Sequence, residues 1–137
     1  KAFLPLHPTK YAELLGEKLK HHNVNVWLVN TGWSGGSYGV GSRIKLSYTR
    51  SLITAALNGG LDNVNYNTLP IFGLSMPVTC PGVPDEMMNP RNTWKDKGEY
   101  DNKANSLAAS FVKNFEQYAE FANAEIMQAA PKVAVNA

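Results

Sequence analysis

Apolar residues recur with a helical period at both ends of the chain, and a continuous strand-like run lies between them. Tyr11, Leu14, Leu15 and Leu19 fall at i, i+3, i+4 and i+8. That spacing lays one apolar stripe along a helix of about 14 residues. Pro8 suits its first position, where the N–H that proline lacks would have no partner. Gly16 weakens the helix slightly, and His21, His22 and Asn23 close it with cationic character where the dipole favours it. Residues 24–29 are apolar on both faces except at Asn25, the pattern of a strand buried within a sheet. Further on, 43–46 fits either a short strand or a tight lead-in to a helix. Ser47 is the predicted N-cap of that helix. Tyr48, Leu52, Ile53, Ala56 and Leu57 form its inward stripe, and Asn58, Gly59 and Gly60 stop it.

The second half begins with a polar, turn-like stretch, 61–69, in which Asn63, Asn65 and Asn67 alternate. Residues 71–76 lie between Pro70 and Pro77 and predict a short strand near a sheet edge. Pro81, Gly82, Pro84 and Pro90 make 78–94 an irregular extended segment. Leu107, Phe111, Phe115, Tyr118 and Phe121 then keep helical spacing over about four turns and predict a helix over 102–122. A helix so apolar on one face needs a sheet or another helix to cover it. Residues 130–137 carry no structural signal.

Between the first two helices, 24–50 reads as strand, glycine-rich loop and helix. Five of the eleven glycines fall between Gly32 and Gly41. Glycine there permits positive φ and close approach of a ligand to the main chain. A helix N-terminus just beyond offers N–H groups and a positive dipole end, which suit an anion or a polar heterocycle. The same local pattern also describes a surface loop without a ligand, since strand, loop and helix recur across α/β folds.

Composition narrows the class. With 137 residues the chain is long enough for one domain with a core of its own. It is 44% hydrophobic and 18% charged, with a formal net charge of +2. Its Lys and Arg are scattered, so neither nucleic acid nor an anionic membrane surface is an expected partner. The lone Cys80 excludes an internal disulfide and fits a reducing compartment, and a cytoplasmic location is expected. No apolar run approaches the roughly 20 residues that cross a bilayer. The opening residues are apolar rather than linker-like, so the chain is expected to be the C-terminal piece of something larger.

Candidates for chemistry are few. His21 and His22 point about 100° apart on a helix and do not converge on one metal. Trp27 and Trp33 read as core or loop anchors, and Cys80, without a neighbouring His or Cys, as a structural thiol. Asp85 and Glu86 sit beside prolines as solvated loop charges, and His7 precedes a helix start as a packing or capping residue. There is no Gly-x-x-x-x-Gly-Lys-[Ser/Thr] phosphate loop. What is left is the central loop: Arg43 as a fixed planar cation, Thr49 as a hydroxyl in the first helical turn, and glycine amides.

The runs Leu6-His-Pro-Thr-Lys-Tyr-Ala12, Trp27-Leu-Val-Asn-Thr-Gly-Trp33, Gly39-Val-Gly-Ser-Arg-Ile44 and Tyr48-Thr-Arg50 resemble the C-terminal part of the ATP-dependent phosphoenolpyruvate carboxykinase family. Pro90-Arg-Asn-Thr-Trp94 and the aromatic helix are similar to that family's ending. The likeness runs in order from Phe3 to about Tyr118, and the motifs are specific taken together.

The resemblance implies an α/β fold, namely the C-terminal part of a mixed α/β mononucleotide-binding domain, incomplete as it stands and occupying 1–137. It implies a lyase with phosphoryl transfer that acts in gluconeogenesis, converting oxaloacetate and ATP to phosphoenolpyruvate, carbon dioxide and ADP with Mg²⁺ and Mn²⁺. The family's adenine-contacting residues carry over onto Arg43, Ile44 and Thr49. Its phosphate loop, metal ligands, substrate-binding arginine and mobile lid would all lie upstream of Lys1, in the remainder of the same enzyme chain. The piece alone is therefore expected to be inactive, with no catalytic or metal-ligating residue of its own. The loop 34–42 is longer than in some members, and the tail beyond Phe121 has no counterpart. The other reading is a non-catalytic binding or interaction module that keeps this sub-fold.

Overall fold

A computed structural model describes residue 3 and residues 5–133. Helix α1 covers Pro8–His22 with proline in its first turn, as the spacing predicts. It ends on Asn23, whose φ of 47° is left-handed and whose N–H donates to the Leu19 carbonyl at 3.0 Å. Asparagine tolerates that conformation at a helix C-terminus better than most residues. The apolar stripe is only partly covered: Tyr11 and Leu19 are half-buried, whereas Leu14 and Leu15 are exposed.

The strand expected over 24–29 does not form. No backbone hydrogen bond to 24–29 occurs among the described residues. Trp27 packs against the core, while Val24, Val26 and Leu28 on the alternate positions are exposed. A strand exists only as one rail of a ladder, and no other described segment supplies the second rail.

Strands β1 (Trp33–Ser34) and β2 (Ser42–Arg43) form a short antiparallel hairpin, with Trp33 opposite Arg43 and Ser34 opposite Ser42. Helix α2 covers Leu46–Leu57. Its N-cap is the extended Lys45, whose carbonyl accepts from the Tyr48 and Thr49 N–H groups, so Ser47 lies inside the first turn and does not cap it. The stop at Asn58, Gly59 and Gly60 is as expected: the Asn58 N–H donates to Thr54 and Gly59 takes φ 72°.

A second antiparallel hairpin pairs β3 (Tyr66–Thr68) with β4 (Ser75–Pro77). This differs from the expectation twice. Residues 66–68, read as a turn, form a strand, and the strand expected over 71–76 begins only at Ser75. Gly73 at φ 65° donates to the Leu69 carbonyl at 2.8 Å, turning the chain before pairing resumes. Both strands of a two-stranded sheet are edges, so Pro77 is tolerated opposite Tyr66.

The segment 78–94 is less irregular than its prolines suggest. It holds two one-turn helices, α3 (Asp85–Met88) and α4 (Pro90–Thr93). The Asn89 side chain caps α4 by accepting from the Arg91 N–H at 3.1 Å. Helix α5 covers Lys97–Phe115 and starts earlier than its apolar stripe, because Asp96 caps the Gly98 and Glu99 N–H groups at 2.7 and 3.2 Å. It tightens into a 3₁₀ stretch over Glu116–Phe121, and α6 (Ala124–Gln128) follows. The buried face of α5 is Ala104 and Ala108, whereas Phe111 of the expected inward stripe is 51% exposed. Small residues let the helix approach its neighbours closely, and Phe111 meets Phe72 at right angles, with 6.4 Å between ring centroids.

The hydrophobic centre gathers Ala55 of α2 with Leu61, Cys80, Val83 and Met88, flanked by Trp27, Tyr48 and Leu52. Helices with two small antiparallel hairpins around this centre are the make-up of part of an α/β domain.

Candidate functional site

The loop that joins β1 to β2 is shaped by its glycines. Gly35 and Gly39 have φ of 79° and 88°, values that favour glycine. At Gly41 the constraint is space instead: a Cβ there would stand 2.5 Å from the Ser34 carbonyl oxygen. Upstream, the Asn30 side chain accepts from the Gly32 N–H at 2.9 Å and donates to the Trp33 carbonyl at 3.2 Å, folding 30–33 into a turn. Ile44 closes the hairpin by donating its N–H to the Gly32 carbonyl at 2.9 Å.

The loop is also tied to a distant part of the chain. Ser34 Oγ donates to Thr93 Oγ1 at 2.8 Å, and Thr93 Oγ1 in turn donates to the Pro90 carbonyl at 2.7 Å. Two of the sequence runs singled out above, the glycine loop and 90–94, therefore meet. No local signal announces this pair, since 59 residues separate its members.

Arg43, Ile44 and Thr49 lie along one continuous stretch from β2 into the first turns of α2. Arg43 is exposed, and among the described residues no carboxylate or other group holds its guanidinium. Ile44, the residue after β2, is half-buried. Thr49 is 7% exposed and is the buried polar residue of the described core. Arg43 and Thr49 thus differ sharply in access to solvent, and a ligand touching all three would sit over the edge where β2 gives way to α2. Beside them Lys45 Nζ stands 5.4 Å from the centre of the Tyr48 ring, and Trp33 meets Tyr38 edge to face at 5.2 Å.

The three residues line neither of two depressions on the surface. One, of about 560 Å³, is bordered by Gly35, Val40, Trp94 and the residues that open α5. The other, of about 500 Å³, lies between the β3–β4 hairpin and α5. In its wall Arg91 grips Asp101 through Nε and Nη2 at 2.8 and 2.9 Å. That hydrogen-bonded pairing lowers the Asp101 carboxyl below its usual range and raises the guanidinium. Tyr100 beside them is pushed up by burial and by the Asp101 charge.

Cys80 is buried, and burial pushes its thiol up, away from the thiolate that nucleophilic chemistry needs. Among the described residues no three His, Cys, Asp or Glu converge in a way that could hold a metal ion. None of the described helices is long and apolar enough to cross a membrane.

Comparison with known proteins bears on what this stretch belongs to. The family model described as phosphoenolpyruvate carboxykinase matches residues 1–86, which include Arg43, Ile44 and Thr49. The phosphoenolpyruvate carboxykinase (ATP) of Flavobacterium johnsoniae is 61% identical over 129 residues, covering 94% of this chain and 24% of the relative. That of Christiangramia forsetii is 62% identical with the same coverage. That of Caldanaerobacter subterraneus subsp. tengcongensis is 56% identical over 95% of this chain and 25% of its own length. The chain spans about a quarter of the length of the curated relatives it matches. On a match that covers more than half of its residues and on identities of this size, the chain belongs to the ATP-dependent phosphoenolpyruvate carboxykinase family.

Proposed function

We propose that this chain supplies the adenine side of the ATP pocket in a phosphoenolpyruvate carboxykinase. The whole enzyme converts oxaloacetate and ATP to phosphoenolpyruvate, carbon dioxide and ADP, in the cytoplasm and in the service of gluconeogenesis. The observation that carries the reading is a coincidence of two facts. Arg43, Ile44 and Thr49 all lie within the family match, and they follow one another along the junction between a glycine hairpin and α2. Their chemistry suits a purine: a guanidinium with planar donors, an apolar side chain and a hydroxyl for a polar edge.

Residues 1–137 form the C-terminal portion of the nucleotide-binding domain, and the remainder of the enzyme chain completes it. The bare backbone of 24–29 and the exposed Val24, Val26 and Leu28 support this, as does the quarter share of the relatives' length. The described residues do not fit a site for Mg²⁺ or Mn²⁺. The metals and the phosphate-binding groups belong to the remainder, and the chain alone is inactive.

The test is steady-state kinetics of Arg43→Ala, Ile44→Ala and Thr49→Val in the whole enzyme, each substrate varied in turn. Adenine lies at the far end of ATP from the transferred phosphoryl group, so the KM for ATP rises while that for oxaloacetate holds. Arg43→Ala has the largest effect, because it removes both a charge and a planar surface. Thr49→Val removes one hydrogen-bonding group and raises the KM roughly threefold to tenfold. An unchanged KM for ATP in all three variants, or losses confined to oxaloacetate, would remove this stretch from the nucleotide site.

A further inference from the structure

We infer that Trp33 is a further base-contacting residue of this site, its indole forming with the Arg43 guanidinium one planar surface for a purine. The inference rests on the adenine reading above and adds a residue that the reading does not contain. Trp33 and Arg43 are direct partners in the β1–β2 ladder. Residues directly opposite in an antiparallel pair project from the same face, with Cβ atoms about 5 Å apart. Both are exposed, Trp33 at 37% of its surface. The indole therefore stands on the Arg43 side of the hairpin.

The chemistry of the pair fits a flat, electron-rich heterocycle. An indole face and a guanidinium plane each stack on a base, and neither needs to be desolvated by a large movement first. Among the described residues no Lys or Arg lies over the Trp33 ring, whereas Lys45 does occupy the Tyr48 ring nearby. Tyr38 meets Trp33 at an interplanar angle of 82°, with ring centroids 5.2 Å apart, and is the aromatic neighbour of the indole among the described residues. The hairpin that carries Trp33 is fixed by the Ser34–Thr93 bond directly after it and by the Asn30 turn directly before it. A large aromatic held this firmly at both sides, yet left at the surface, is oriented for contact with something outside the described core.

The experiment uses the whole enzyme with Trp33→Ala, Trp33→Phe and Arg43→Ala, measuring the KM for ATP and for oxaloacetate. It adds titration of intrinsic fluorescence with ADP and, separately, with inorganic tripolyphosphate. Stacking of a base on an aromatic side chain translates to at least fivefold in affinity. Trp33→Ala is therefore expected to raise the KM for ATP fivefold or more at constant oxaloacetate KM, with Trp33→Phe recovering most of the loss. ADP should quench the fluorescence of the parent enzyme and lose part of that quench in Trp33→Phe, while tripolyphosphate binding stays the same. If Arg43→Ala raises the KM for ATP and Trp33→Ala does not, the inference is overturned and the adenine reading stands. If neither variant moves it, both fall. A loss in Trp33→Ala that falls equally on both substrates and is not rescued by Phe assigns Trp33 a structural role and also overturns the inference.

Discussion

Ser34 and Thr93, 59 residues apart, share a hydrogen bond of 2.8 Å between their hydroxyls, and the Thr93 hydroxyl donates in turn to the Pro90 carbonyl at 2.7 Å. Both side chains are half-buried, so this short relay is partly shielded from water. Ser34→Ala removes only the first link and should cost about 0.5–1.5 kcal/mol. Thr93→Val removes the acceptor of one bond and the donor of the other, leaving the Pro90 carbonyl unmatched, and should cost about 1–3 kcal/mol. Thr93→Ser keeps both links and should stay near the parent. Equilibrium denaturation of the three variants checks the order. A Thr93→Val variant as stable as the parent would show that the relay contributes nothing.

Three glycines should respond differently to alanine. At Gly41 the new Cβ would meet backbone oxygens at 2.5 and 2.6 Å, and backbone cannot step aside cheaply. Gly41→Ala should open the hairpin at a cost of about 1–3 kcal/mol or more. At Gly39 no atom lies within 4 Å, and only its φ of 88° opposes a side chain, a penalty of about 1–2 kcal/mol. Gly16 lies in α1 with open space around it, so Gly16→Ala should stabilise by about 0.5–1 kcal/mol. Melting temperatures of the variants would reveal the sequence of effects, and a stabilising Gly41→Ala would contradict the packing described.

The start of α5 rests on Asp96, which accepts two N–H bonds, while Glu99 lies in the first turn near the positive end of the helix. Asp96→Ala should destabilise by about 0.5–2 kcal/mol, and Asp96→Ser should restore most of it. Amide exchange at Gly98 and Glu99 is the local readout, and it should quicken in the Ala variant before any other part of α5.

The Arg91–Asp101 pair has a pH signature. Its carboxyl is lowered in the folded chain, chiefly by the Arg91 hydrogen bond. Stability from this group is therefore fully present above the ordinary carboxylate value of about 3.9, and it is lost as pH falls through the lowered folded value. Both side chains are nearly half exposed, so the contribution is modest and screened by salt. The stability difference between the parent and Asp101→Asn should be constant around neutrality and close in acid. A difference that instead grew below the ordinary carboxylate range would reverse the assigned direction.

The helices were the part most legible in the sequence, because their signals are local: Pro8 and Asn23 bound α1, and Gly59 stops α2. Asp96 with Glu99 three residues on is a capping signature too, and it places the start of α5 ahead of the apolar stripe at Leu107. The strands were less legible, because a ladder depends on a partner. The apolar run of 24–29 reports a chain suited to a sheet, but it cannot supply the neighbour that would make it one. In the site, Arg43, Ile44 and Thr49 came from a family likeness and from side-chain chemistry. The Trp33–Arg43 pairing and the Ser34–Thr93 bond depend on register and on a distant contact, and neither leaves a mark in spacing.

Helix α1 buries no residue fully, yet it stays in place. Its leading His7 lies against Phe121 and Tyr118, with ring centroids at 4.7 and 5.8 Å, and Lys20 reaches Glu125 at 3.0 Å. Closing a loop of roughly a hundred residues costs about 4 kcal/mol in chain entropy, more than an aromatic pair returns at about 0.5–1.5 kcal/mol. The exposed ion pair adds little to that. The clasp therefore cannot draw the two segments together by itself and closes only after the intervening fold has brought them near. With so few contacts and no fully buried residue, α1 is expected to open locally well below the threshold for unfolding the centre around Cys80, which amide exchange along α1 would read directly.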